Sequence, residues 1–294
     1  MDFDTVIAWA KEGWNSVTSS MPWQQITDFL NSNFFSSMAS ALFGALFGAY
    51  AAHRIIERQK ERELLLGEIR NTNAAISLAF DICNIGLSFK KQHLVRLREN
   101  FESTKAHVIE LKRSADSGET PPQNRFEFQA DLQTLPELTF PTKILQKQVF
   151  QNLSVSGRAL SAVSSLLGSA FSLNESIHRR NAQIRQIKAS LSPEDPRFID
   201  LYFGFASPDG HVDREFPETL RAIHVYTDDL IFFSKLICED LHNYGKNLHE
   251  RTAKIGRGQA PKINSVDFSS SNEFGLMPDE NEYESWLKGY SNAA

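Results

Sequence analysis

Residues 34–52, FFSSMASALFGALFGAYAA, carry no charge, and no other stretch constrains the chain as strongly. At about 1.5 Å per residue, an α-helix over them is roughly 28 Å long, close to the hydrocarbon thickness of a bilayer. On such a helix Ser37, Ser40, Ala41, Gly44, Ala45, Gly48, Ala49 and Ala52 share one half of the cylinder. Phe35, Leu42, Phe43, Leu46, Phe47 and Tyr50 share the other. Gly44 and Gly48 form a GxxxG pair, a spacing that lets another backbone approach closely in a membrane. The competing reading is a buried helix of a soluble core, and the flanks decide against it.

Before the stretch, Lys11 stands alone against Asp2, Asp4, Glu12 and Asp28; just after it come Arg54, Arg58, Lys60 and Arg62. The positive-inside bias therefore predicts an N-terminus outside the membrane and a cytoplasmic C-terminal domain. Trp9, Trp14 and Trp23 fall in the outer segment, where indole favours the headgroup zone. The start of the chain lacks the basic and apolar pattern of a cleaved signal peptide. A single-pass membrane protein is expected.

The rest of the chain reads as mainly α. Residues 3–21 have helical apolar spacing and form an interfacial helix within an outer segment, 1–33. After the transmembrane helix (34–52) a stalk, 53–72, is rich in strong helix formers. A cytoplasmic bundle of three long helices follows over 73–258. The first has a heptad seam: Phe80, Cys83, Leu87, Lys90, Leu94, Leu97, Phe101, Thr104, Val108 and Leu111. Gly67 and Gly86 are candidate breaks or close-approach points in it. A weak alternation around Phe126 to Leu135 suggests a short strand or an extended arm.

The second long helix, about 156–190, directs Leu160, Val163, Leu167, Ala170, Phe171, Asn174, Ile177, Ile184 and Ile187 inward. The third opens at Pro217 and has the seam Ile223, Tyr226, Leu230, Phe233, Ile237, Leu241, Tyr244 and Leu248. Between them PRFIDLYFGF reads as a short aromatic plug, and SPDGH as a turn. Residues 259–294 form an acidic tail, either flexible or a docking peptide. Cys83 and Cys238 are far apart in apolar helical patterns, which suits buried free thiols.

No Gly-rich phosphate loop, HExxH, GxSxG or Cys/His zinc spacing occurs, so no enzyme, cofactor or metal is expected. Asp228 and Asp229 are adjacent, so on a helix their carboxylates diverge. His178, Arg179, Arg180, Arg185 and Lys188 cluster near the end of the second long helix. They either complement the helix dipole or bind a polyanion such as a nucleotide or oligonucleotide through its phosphates. In the second case the acidic tail is a candidate occupant of the empty patch. Phe43, Phe47 and Tyr50 either face lipid or act as a hydrophobic gate, while Ser37, Ser40, Ala41, Gly44, Gly48 and Ala52 form the oligomer or pore face.

With SALFGALFGAYAAHR in that layout, the first 115 or so residues resemble membrane effectors of bacterial anti-phage defence, for example the Hailong type. The resemblance implies an effector that assembles in the inner membrane. It also implies a channel controlled by a cytosolic nucleotide or oligonucleotide that a partner nucleotidyltransferase makes. No family residue maps onto this chain position by position. One span encloses no conduit, so a pore demands a homo-oligomer, with a tetramer as the expectation. The alternative is a membrane-tethered helical scaffold or receptor without conduction.

Overall fold

The structure, a computed structural model, describes residues 33–117, 130–190, 195–207, 209–255 and 259–291, together with Ala8 and Glu12. The side chains of residues 33–36, 39, 196 and 291 lie outside that description, as does most of the expected outer segment. Among the described residues the chain is mainly α-helical and contains no strand, only an isolated bridge between Ala206 and Val212. By its contacts it divides into two units, Met1–Glu63 and Leu64–Ala294.

The first helix, α1, covers Asn33–Phe89 without a break at Gly44, Gly48, Gly67 or Gly86. In the first unit its described side chains are exposed apart from half-buried Arg62, and the exposed ones include Leu42, Phe43, Leu46, Phe47 and Tyr50. A Cβ added at Gly44 or Gly48 would meet nothing within 4 Å. Among the described residues no helix is long and apolar enough to cross a membrane. The run from Ser40 to Ala52, where every side chain is described, is shorter than the roughly 20 apolar residues a span requires. The rest of the expected span, from Phe34, lies partly outside the described side chains.

The second unit is a helical bundle with one main core. Leu65 and Ile69 of α1 are already buried, so the body takes in part of the expected stalk. A π-helical turn, Lys90–Leu94, joins α1 to α2 (Val95–Asp116). Then come α3 (Thr142–Asn152), α4 (Gly157–Ser190), α5 (Pro196–Phe203) and α6 (Glu215–Ile255). The C-terminal part holds α7 (Ser269–Glu273), a 3-10 turn (Glu280–Tyr283) and α8 (Glu284–Ser291). The heptad seam of α1 and α2 is buried or half-buried throughout, its polar member Lys90 included.

Local chemistry sets the boundaries. Asp195 caps α5 by accepting from the Arg197 backbone N–H at 3.0 Å, with Pro196 in the first turn, and Gly204 ends that helix at φ +70°. Phe198, Tyr202 and Phe203 of α5 are buried, and Tyr202 and Phe203 pack against Phe101, with ring centroids 5.5 and 5.3 Å away. Gly86 is a close-approach point: a Cβ there would lie 2.7 Å from Leu230 Cδ2 on α6.

One expectation needs correction: Phe171, expected inward on α4, is 70% exposed, and Leu166 and Leu173 take the inward positions instead. The expected strand or extended arm falls partly outside the described residues, and its described part, 130–135, forms no strand. In the acidic tail, expected as flexible or as a docking peptide, Phe268, Leu276 and Tyr283 are buried. Apolar side chains spaced along an acidic sequence give it a packed side that net charge conceals.

Candidate functional site

The basic cluster expected on α4 does not form one surface. His178, Arg179, Arg185 and Lys188 are exposed, and His178 Nε2 lies 3.4 Å from Glu137 Oε1. Arg180 points inward and is 1% exposed. Its Nη1 donates to the Gln133 carbonyl at 2.7 Å and its Nη2 to the Asp131 carbonyl at 3.3 Å. Burial lowers the pKa of this guanidinium, and the ring of Phe216 lies 5.7 Å from it.

Asn181 and Asn174 complete the same attachment. Each engages the backbone N–H and C=O of one residue with its two amide atoms. Asn181 Oδ1 accepts from the Leu135 N–H at 2.9 Å while Nδ2 donates to the Leu135 carbonyl at 2.8 Å. Asn174 repeats this at Leu138, with 3.1 and 2.9 Å. Seven residues apart on α4, the two asparagines lie on one face and pin an irregular segment that lacks ladder partners. The inward position expected for Asn174 was the only sequence sign of this arrangement.

The acidic tail does not reach those cations. Glu280 pairs with Lys235 of α6, and the Tyr283 hydroxyl donates to Asp229 Oδ1 at 2.9 Å. Tyr283 stacks on Phe232, with centroids 3.7 Å apart and planes 8° apart.

Beside this contact lies a cavity of about 640 Å³. Helix α2 contributes Arg98, Phe101, Glu102 and Lys105, and α6 contributes Glu218, Arg221, His224, Asp228 and Asp229. Glu282 and Tyr283 form part of its wall.

A polar chain leads from this cavity towards the core. Arg98 Nη1 stands 3.0 Å from His224 Nε2, and His224 Nδ1 stands 3.2 Å from Asp228 Oδ2. Lys90 Nζ donates to Asp228 Oδ1 at 2.5 Å. A guanidinium only donates, so Nε2 must accept, and the imidazole proton sits on Nδ1 facing Asp228. Lys90 belongs to the π-helical turn, whose closing bond runs from the Val95 N–H to the Lys90 carbonyl. Such turns are often found at functional sites.

The two adjacent aspartates behave differently, as their divergence predicts. Burial alone would raise Asp228, but hydrogen bonds from His224 and Lys90 hold it below the ordinary carboxylate value. Burial raises Asp229, and the nearby charges of Asp228 and Glu282 add to that rise. The lining offers a ligand charged groups of both signs, Arg98, Lys105 and Arg221 beside Glu102, Glu218 and Glu282. Cys83 and Cys238 are buried free thiols, and burial pushes Cys83 up to about 12. His242 and His249 are bonded to the carbonyls of Asn264 and Pro261, and the described residues hold no group of three or more potential metal ligands. No family model, curated protein or solved structure matches the chain.

Proposed function

We propose that the chain is a homo-oligomeric effector of the bacterial inner membrane, a ligand-gated channel that acts in anti-phage defence by collapsing the membrane potential. The observation that carries this reading is the state of α1 in the first unit. Leu42, Phe43, Leu46, Phe47 and Tyr50 are at least 55% exposed on an uncharged stretch. A helix apolar on all sides has no stable place in water; lipid and neighbouring copies are its natural cover. Phe34 and Phe35 extend the apolar run in sequence, and the charge asymmetry of the flanks orients it with the N-terminus outside. The same helix supplies Leu65, Ile69 and Ile76 to the cores of the second unit.

The small face, Ser37, Ser40, Ala41, Gly44, Gly48 and Ala52, is the assembly surface in this reading, with four copies around the axis. Phe43, Phe47 and Tyr50 face lipid or close the pore. The controlling ligand is a cytosolic nucleotide or oligonucleotide, supplied by a partner nucleotidyltransferase. Exposed Arg179, Arg185 and Lys188 are its phosphate contacts, with Arg180 excluded by its burial.

Leucine side chains cannot occupy positions where backbones touch. Gly44→Leu and Gly48→Leu are therefore expected to abolish the detergent-solubilised oligomer and the depolarisation of expressing cells, with membrane insertion intact. Size-exclusion chromatography with light scattering and a potential-sensitive dye read the two effects. Unchanged oligomers in both variants would place assembly in the bundle. An intact oligomer that never depolarises cells would favour a non-conducting scaffold, and wild-type chain recovered only in the soluble fraction would overturn the proposal.

A further inference from the structure

We infer that residues 279–291 are a displaceable latch, which closes one wall of the cavity between α2 and α6 and opens without unfolding the bundle. The inference depends on the cavity and the C-terminal contacts, not on the proposed membrane role.

The middle of α6 needs an extra cover. Leu230, Ile231, Phe232, Phe233, Ser234, Leu236, Ile237 and Cys238 are all buried, a run that occupies every side of the helix. Gly86 of α1 faces Leu230 and Ile231. Phe232 is stacked against Tyr283, and Phe233 meets Trp286 with centroids 5.1 Å apart.

That cover is attached in two unequal parts. Upstream, the Asn73 side chain holds the backbone of 262–264: the Asn264 N–H donates to Asn73 Oδ1 at 2.9 Å, and Asn73 Nδ2 donates to the Lys262 carbonyl at 2.9 Å. His242 adds a bond to the Asn264 carbonyl at 2.8 Å, and Phe268 and Leu276 are buried. Beyond Pro278 the attachment thins. In residues 279–291 Tyr283 is the one described side chain that is buried. The pair Lys235–Glu280 involves a carboxylate that is 63% exposed, so it contributes little.

Charge further weakens closure. The latch carries Asp279, Glu280, Glu282 and Glu284, and it brings Glu282 towards Asp228 and Asp229. Like charges resist this approach, and the Tyr283 hydroxyl bond to Asp229 opposes them. Arg98, Lys105 and Arg221 of the same cavity offset part of that repulsion, so the closed state rests on few contacts and an open state is accessible. In the closed state Glu282 and Tyr283 wall the cavity; in the open state the cavity widens, and Asp229, Phe232 and Lys235 become accessible. Any ligand whose contacts differ between the two walls shifts the balance.

Hydrogen exchange on the purified full-length chain tests this. Amides of 280–290 are expected to exchange at least about tenfold faster than those of α1 and α6 in the bundle. Tyr283→Phe keeps the stacked ring but removes the bond to Asp229. It should accelerate 280–290 by about tenfold and leave the amides of residues 69–89 unchanged. A chain ending at Pro278 should keep the bundle folded while amides near Phe232 lose protection. Exchange of 280–290 at the core rate in the wild type would overturn the latch. So would equal acceleration of α1 and α6 by Tyr283→Phe, or loss of the folded bundle on truncation.

Discussion

Arg180→Ala is expected to destabilise the bundle by about 3–5 kcal/mol, whereas Arg179→Ala, one position away, should change stability by no more than about 0.5 kcal/mol. The Arg180 side chain fills a fully buried site and satisfies the carbonyls of Gln133 and Asp131. Truncation leaves a cavity and takes the donor from the carbonyls of Gln133 and Asp131. Arg179 is exposed, and its loss removes only a solvated charge. Urea denaturation of the two single variants measures the difference directly. Equal midpoints would mean that the 130–138 segment is held without Arg180. One consequence concerns ligand binding: a double Arg179/Arg180 variant would lose any response through unfolding. Arg179→Ala with Arg185→Ala removes exposed charge only and is the informative pair.

Lys90→Met is expected to cost about 3 kcal/mol, and adding Asp228→Leu should recover most of that loss. The two side chains are 8% and 18% exposed, so removing Lys90 strands a buried carboxylate with His224 as its remaining partner. Removing both charges leaves an apolar contact without a desolvation cost. The effect also depends on pH. The folded-state pKa of Asp228 lies below its unfolded value, near 3.9, so the stabilisation by its charge is fully present above that value. It is lost as pH falls through the folded pKa. The wild type should therefore exceed Lys90→Met by a constant margin near neutrality, and that margin should shrink below about pH 4. Thermal unfolding of wild type, single and double variants between pH 3 and 7 checks both points. A double variant no more stable than the single would show that the pair itself stabilises the bundle.

The cavity emerges from features that differ greatly in how visible they are in sequence. Lys90 stands out as the charged member of a seam that is apolar apart from it and Thr104, and Asp228 and Asp229 stand out as neighbours. Neither signal says that Lys90 and Asp228 meet. They are 138 positions apart, and only the packing of the π-helical turn against α6 brings them together. His224 is four residues before Asp228, a helical spacing that does place them on one side of α6. Arg98, from α2, had no sequence link to either.

What the sequence alone determined is the set of long helices, their inward faces and their ends. Apolar spacing repeats locally, and Pro217 acts through its own backbone restriction, so no distant contact is needed to read them. It also determined the uncharged stretch at 34–52 and the charge difference across it. Only the tertiary structure decided which arginine of an adjacent pair is buried. Neighbouring residues differ by about 100° around a helix, and a small error in the inward direction exchanges them. Phe171 was misplaced for the same reason. The attachment of 130–141 by Asn174 and Asn181, and of the acidic tail by Tyr283, was also decided there. Such contacts join irregular backbone or a single ring to a distant helix, and they impose no periodicity on the sequence that would announce them.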